Sequence, residues 1–203
     1  MEKFQLLIAF LMAIRNYSKD IHYNSKGAAF YSKHLLADLV LDGLDEKIDD
    51  IKENVFLGSG VEPLPSGRYL MAAAALVPPI SNDDKLNFIM LKGLVNRVRG
   101  LIKDIEAPSR GAGSLLDSIG EHLDKMAGLL YLQVKDGEVH EAKDYTKEEC
   151  DGCTEKAVDR AKAHLANIDY DKVADTVKKY EAENVLVAEE EETLDKLSKF
   201  LGV

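Results

Sequence analysis

Apolar residues recur at spacings of three and four along four long segments of the chain, which is the periodicity of amphipathic helices. The four segments run through Phe4, Leu7, Leu11, Ile14 and Ile21; Leu41, Leu44, Ile48, Ile51 and Val55; Leu91, Leu94, Val98, Leu101 and Ile105; and Leu116, Ile119, Leu123, Met126 and Leu130. No strand-like alternation of apolar and polar residues competes with this pattern. We therefore expect an all-α fold.

The lengths of the connections predict how these helices are arranged. The connections at residues 24–27 and 107–113 are short, so each should join two antiparallel neighbours. The connection over residues 58–80 is long enough to cross a bundle from end to end, and residues 66–77 within it should form a short helix. Two hairpins joined by one long crossover make the ferritin-like arrangement of a four-helix bundle.

Capping residues predict where several helices begin. Ser81 or Asn82 can cap the third helix, and Ser114 with Asp117 resembles a capping box at the start of the fourth. Further helical segments are expected after residue 137, and Thr146 with Glu149 resembles another capping box there.

Charge is distributed unevenly along the 203 residues, whose formal net charge is −10. Residues 1–135 contain 16 Lys and Arg against 17 Asp and Glu, whereas residues 136–203 contain 10 against 19. We therefore expect a four-helix bundle over 1–135 and an acidic helical C-terminal extension over 136–203. No nucleic-acid partner is expected, because nucleic-acid binding depends largely on neutralising phosphates.

The opening of the chain is apolar, yet it is expected to be a core helix. Glu2, Lys3 and Arg15 interrupt it, and it continues in helical period without a clear cleavage site. No run of about 18 apolar residues is present, so no membrane-spanning helix is expected. We expect a cytoplasmic protein.

The two cysteines, Cys150 and Cys153, form a single C-x-x-C motif. Structural zinc needs four ligands, and the chain has no second motif that would supply the other two. We favour two reduced cysteines. Zinc shared between subunits is the next alternative, followed by redox chemistry.

Two of the five histidines, His22 and His34, flank the polar, glycine-containing break between the first two helices. Residues equidistant from the turn of an antiparallel hairpin lie opposite each other, so both imidazoles can face one region of space. Carboxylates follow on the second helix. Asp38 lies one turn beyond His34, and Asp49 and Glu53 are four residues apart and share a face.

One helix cannot bring all these groups to a common ion. From His34 to Asp49 is 15 residues, about 22 Å along a straight helix, whereas metal–ligand distances are near 2 Å. Pairing the second helix with its twin about a two-fold axis would bring the His34 end of one copy to the Glu53 end of the other. Mixed imidazole and carboxylate ligands suit iron among the first-row metals.

A di-iron centre inside one bundle requires a different sequence motif, Glu-x-x-His, on each of two helices. No histidine of this chain has a glutamate three residues before it, so such a centre is not expected. We treat the other three histidines, His122, His140 and His164, as non-ligands.

The stretch from His22 to Gly58 resembles the ferroxidase region of the Dps mini-ferritins (DNA-binding proteins from starved cells). A second His follows the first after eleven residues, an Asp lies four residues further on, and an Asp-x-x-x-Glu precedes a Leu-Gly pair. An N-x-K-G-x-x-F turn occupies residues 24–30. The positions that match the ligands of the family are His22, His34, Asp38, Asp49 and Glu53.

The resemblance covers about residues 1–135, and it implies an activity. By resemblance, the ligands lie at a two-fold interface in a hollow dodecamer that oxidises Fe(II), commonly with hydrogen peroxide, and stores the mineral inside. Tyr23 stands where the family often has Trp. No Lys-rich N-terminal arm is present, so the DNA binding in the name of the family is not carried over.

A non-enzymatic interaction protein is the alternative. In that case the bundle is only a scaffold, and the acidic extension docks a protein partner. The matched ligands favour the ferroxidase interpretation. The extension, which has no counterpart in the family, favours the alternative.

Overall fold

The computed structural model describes residues 1–27, 29–135 and 155–166, and every regular element in these ranges is helical. The α-helices are α1 (Glu2–Asn24), α2 (Phe30–Leu41), α3 (Leu44–Asp50), α4 (Ser66–Leu76), α5 (Asp84–Lys103), α6 (Arg110–Val134) and α7 (Glu155–Leu165). After α3 the chain continues through a π-helical segment, Ile51–Phe56, and a 3-10 turn, Leu57–Ser59. For these residues the prediction of an all-α fold is confirmed, and the short helix expected in the long connection is α4.

Most of the other described helices pack against α1, and its middle turns are buried on every side. Every residue from Leu6 to Ile14 is buried. A helix that is apolar all round needs cover all round. That cover comes from α2, α3, α4 and α5, each of which packs against α1.

The predicted apolar stripes of the third and fourth helices form a second part of the core. α5 and α6 pack against each other, with Leu91, Leu94 and Val98 buried on α5. On α6 the buried side chains recur at spacings of three and four, as the sequence predicted: Leu116, Ile119, Leu123, Met126 and Leu130.

The sequence predicted one continuous second helix, and that expectation is wrong. α2 ends at Leu41, Asp42 is extended with ψ 132°, and Gly43 is left-handed with φ +69° before α3 begins at Leu44. A left-handed backbone costs other residues roughly 1–2 kcal/mol, whereas glycine adopts it readily. The apolar periodicity hides the break, because Leu41 and Leu44 keep the spacing of three across it.

Two helices begin at residues other than those predicted. Asp83 caps α5, since its carboxylate accepts a hydrogen bond from the backbone amide two residues further on at 2.9 Å. The predicted caps were Ser81 and Asn82. Ser109 caps α6, since its hydroxyl accepts from the amide three residues further on at 3.1 Å, and α6 therefore begins before the predicted Ser114.

α7 packs on α4 within one compact unit that comprises Met1–Ala166. An ion pair between Arg97 and Glu155 joins α7 to α5. The predicted division into a bundle over 1–135 and an extension over 136–203 stays a prediction. The cysteine motif, His140 and the predicted cap at Thr146 lie outside the described residues.

None of the helices in the described ranges combines the length and the apolar character that crossing a membrane requires.

Candidate metal centre

His22 lies in the last turn of α1, and the end of that helix is tightly closed. The backbone amide and the hydroxyl of Ser25 both donate to the carbonyl oxygen of Ile21, at 2.9 Å and 2.7 Å. The side-chain amide of Asn24 donates to the carbonyl oxygen of Asp20 at 2.8 Å. These bonds satisfy carbonyl groups that the end of a helix leaves without partners. The turn that carries His22 is therefore held in place.

The start of α2 is fixed at two points, which sets the position of His34. Gly27 has φ +81°, a conformation suited to glycine, and its carbonyl oxygen accepts the amide of Phe30 at 3.0 Å. Lys33 forms an ion pair with Asp84, the first residue of α5, at 2.7 Å. Because His34 follows Lys33 directly, this pair holds its turn of α2 against α5.

The two imidazoles meet across the hairpin. Their ring centroids are 3.5 Å apart, with 33° between the ring planes. Nδ1 of His34 lies 3.2 Å from the carbonyl oxygen of His22. A carbonyl oxygen only accepts, so Nδ1 of a neutral His34 carries the proton in this contact. Nε2 of His34 then has its lone pair free for a metal.

Asp38 brings a carboxylate to the same place. Its Oδ1 lies 2.6 Å from Nδ1 of His22. Nδ1 of His22 is buried, and this carboxylate lies directly beside it. An imidazole nitrogen beside a carboxylate oxygen suits a bound cation, because a cation would interact favourably with both atoms.

The three side chains form a group with the dimensions of a metal site. One ligand atom from each of His22, His34 and Asp38 lies within 4.8 Å of the other two. Metal–ligand distances near 2.1 Å place two ligands at most about 4.2 Å apart, so small rotations of the side chains would close the site. Two imidazoles and one carboxylate carry one negative charge, and they leave other positions of an ion open.

Asp49 and Glu53 do not join this group within one protomer. The side chain of Asp49 on α3 is 72% exposed and lies 3.6 Å from Nζ of Lys52. Glu53 is exposed in the π-helical segment. Because the break at Gly43 separates α2 from α3, Asp38 and Asp49 do not lie on one continuous helical stripe. The structure therefore brings together three of the five predicted ligands.

Exposed aromatic and aliphatic side chains surround the centre. Tyr23 meets the ring of His22 edge-on at 4.8 Å and is 75% exposed. The ring of Phe30 lies 5.1 Å from that of His34. The outer face of α2 carries what we call the α2 stripe, which is exposed and consists of Tyr31, Leu35 and Leu39.

His122 contacts the backbone of α2, the helix that carries His34 and Asp38, and the sequence did not reveal this contact. It lies on α6, half-buried, with Nε2 3.4 Å from the carbonyl oxygen of Val40. Burial lowers the pKa of His122, and this effect outweighs the opposing effect of the hydrogen bond to Val40. The ring is therefore neutral at neutral pH. Its partner is 82 residues away in the sequence, so no local pattern could have identified the contact.

No family model, curated protein or solved structure matches the chain. The resemblance of residues 22–58 to the Dps mini-ferritins therefore stands on residues and spacings alone.

Proposed function

We propose that the chain is a Dps-like mini-ferritin that binds Fe(II), its substrate, between two copies and oxidises it. The observation that carries this proposal is the convergence of His22, His34 and Asp38, since one ligand atom of each lies within 4.8 Å of the other two. Two histidines and one carboxylate with open positions are the donor set of many non-haem Fe(II) sites. The same set supports iron independently of the likeness to a family.

The remaining ligands would come from a second copy. Three ligands leave the coordination of Fe(II) incomplete, and the exposed carboxylates of Asp49 and Glu53 are available to a neighbour. The exposed α2 stripe beside the centre supports a partner at this face, since burying apolar side chains favours association. A two-fold axis repeats each contact, so one pair of copies would hold two equal centres.

The proposed reaction consumes hydrogen peroxide. Two Fe(II) ions each give one electron to one peroxide molecule, its O–O bond breaks, and two protons from solvent complete two molecules of water. The two Fe(III) ions then hydrolyse to ferric oxyhydroxide and release protons to solvent. Peroxide takes up both electrons, so no hydroxyl radical is released. The imidazoles and carboxylates hold the iron in place, and the carboxylates stabilise the added positive charge of Fe(III).

The proposed assembly follows from the same resemblance. α1 pairs with α2 and α5 with α6, and the connection between the pairs contains α4, which supports a ferritin-like four-helix bundle. We propose that twelve copies form a hollow shell that stores the oxidised iron in the cytoplasm. The acidic extension would then dock a protein partner or modify assembly.

An anaerobic Fe(II) titration followed by hydrogen peroxide tests the proposal. Wild-type protein should bind Fe(II) and develop ferric absorbance when peroxide is added. His34→Ala should lose most of both. His164→Ala removes an imidazole from α7, which carries none of the proposed ligands, and should behave as wild type. Wild-type protein that binds no Fe(II), or equal loss in the two variants, would favour the non-enzymatic interaction protein instead.

A further inference from the structure

α2 carries two of the three converging ligands, but few of its side chains are buried in the hydrophobic core. Only Ala37 and Val40 are buried on α2, and its outer face is exposed. Its first turn is held by the ion pair between Lys33 and Asp84. Asp38, in contrast, lies near the end that meets the break, so its position depends on how that end is held.

The end of α2 leaves backbone carbonyl groups without helical partners. The chain turns away at Asp42, so no further helical turn supplies amides to the last carbonyl oxygens. The amide of Asp42 still closes the turn by donating to the carbonyl oxygen of Asp38 at 3.0 Å. For the carbonyl of Val40 the partner comes from another helix, and it is Nε2 of His122 at 3.4 Å.

We infer that His122 is a positioning residue, which holds the last turn of α2 and thereby keeps the Asp38 carboxylate against His22. Val40 lies two residues after Asp38 in the same turn, so a bond to its carbonyl fixes the backbone that carries the carboxylate. A carbonyl oxygen accepts only, so Nε2–H is the donor. Burial favours the neutral imidazole, which has one N–H group that can donate to this carbonyl oxygen. The consequence for iron rests on the proposed function, whereas the consequence for α2 does not.

Two substitutions separate the hydrogen bond from the bulk of the ring. In His122→Gln the amide nitrogen is the same number of bonds from Cβ as Nε2, so it can still donate to Val40. His122→Leu fills the space without a donor, and His122→Met replaces it should the leucine variant fail to fold. Glu121→Gln, at an exposed neighbouring position of α6, is the control.

Co(II) binding measures the effect on the centre without a redox step. The apolar variant should bind Co(II) about three- to tenfold more weakly than wild type, the range expected for one lost hydrogen bond. His122→Gln and the control should bind as wild type. Equal weakening in the glutamine and apolar variants, or none in either, would overturn the inference.

Hydrogen exchange of the Asp42 amide tests the inference without any metal. This amide closes the turn that carries Asp38, so it should exchange faster in the apolar variant and unchanged in His122→Gln. If wild-type protein binds no Co(II), the proposed function is refuted. The exchange rate of the Asp42 amide would then be the measurement that tests whether His122 holds α2. An unchanged exchange rate in the apolar variant would show that His122 does not hold α2.

Discussion

If each site takes its ligands from two copies, as proposed, two inactive variants should restore iron oxidation when they pair with each other. One variant carries His22→Ala and His34→Ala, and the other carries Asp49→Ala and Glu53→Ala. Neither variant alone can build a complete site if each site draws imidazoles from one copy and acids from its mate. When unlike copies pair, one of the two sites has all five ligands, and the other keeps only Asp38.

The size of the recovery follows from symmetry. A pair of unlike copies has one complete site of two, so it should show about half of wild-type iron oxidation. Random mixing makes about half of all pairs unlike, so an equimolar mixture should reach about a quarter of wild type. Each parent lacks two direct ligands, and loss of one outer-shell partner already costs about 10–100-fold. The parental background should therefore stay at or below a few per cent.

Differently tagged variants that are produced together and purified through both tags give the unlike pairs. Ferric absorbance is then followed after peroxide is added to protein loaded anaerobically with Fe(II). Doubly tagged protein that carries the same pair of substitutions in both copies is the control. Doubly tagged unlike pairs no more active than either parent would refute the division of ligands. Full activity of the Asp49→Ala/Glu53→Ala parent would refute it as well, because one copy would then supply a complete site.

Four further predictions concern stability and nucleic acid. Gly43→Ala forces φ +69° on an L-residue and should lower the free energy of unfolding by about 1–2 kcal/mol. Gly100→Ala in α5, with open space at Cβ, should raise it by about 0.5–1 kcal/mol, and urea titration of both checks the difference. A chain ending after Gly137 lacks α7 and should melt at a lower temperature than one ending after Ala166, since α7 covers α4. Burial lowers the pKa of His122 in the folded state, so the unfolded chain takes up the proton first, and the free energy of unfolding should fall as pH drops below about 6.5. Urea titrations across this pH range should show a smaller fall in His122→Gln. Duplex DNA should not shift in a gel at physiological salt without divalent metal, because the net charge of −10 repels phosphates.

The fold could be predicted from the sequence wherever periodicity decides it. The stripes of α5 and α6 are long and regular, and their predicted core residues are buried or half-buried. The break between α2 and α3 could not be predicted from periodicity, because the apolar residues keep their helical spacing across it. The Asp-Gly pair at residues 42–43 was the available signal, since such pairs favour turns even within a helical pattern.

For the candidate site, too, the sequence predicts some features and not others. That His22 and His34 face each other follows from a short turn between two helices, so their spacing in the sequence carries the information. The contact between His122 and Val40 depends on how α6 packs against α2, and nothing near either residue in the sequence records it. Whether Asp49 can meet an imidazole depends on a second copy, which a single chain does not specify.

Under the proposed function, the exposed apolar face of α2 and the open coordination positions of the centre would link pairing of two copies to iron binding. The α2 stripe offers three exposed side chains per copy and six in a two-fold pair, each worth roughly 1 kcal/mol on partial burial. Association costs an estimated 4–15 kcal/mol in lost freedom, so the stripe alone supports at most a weak pair. Fe(II) shared between the imidazoles of one copy and the acids of the other would add its binding free energy to the paired state only. Pairing and iron binding should therefore strengthen each other, because a ligand that binds one state stabilises that state. A short helix with few buried residues would suit this proposed role, since a partner and a metal would then supply much of the stabilisation that its own buried side chains do not.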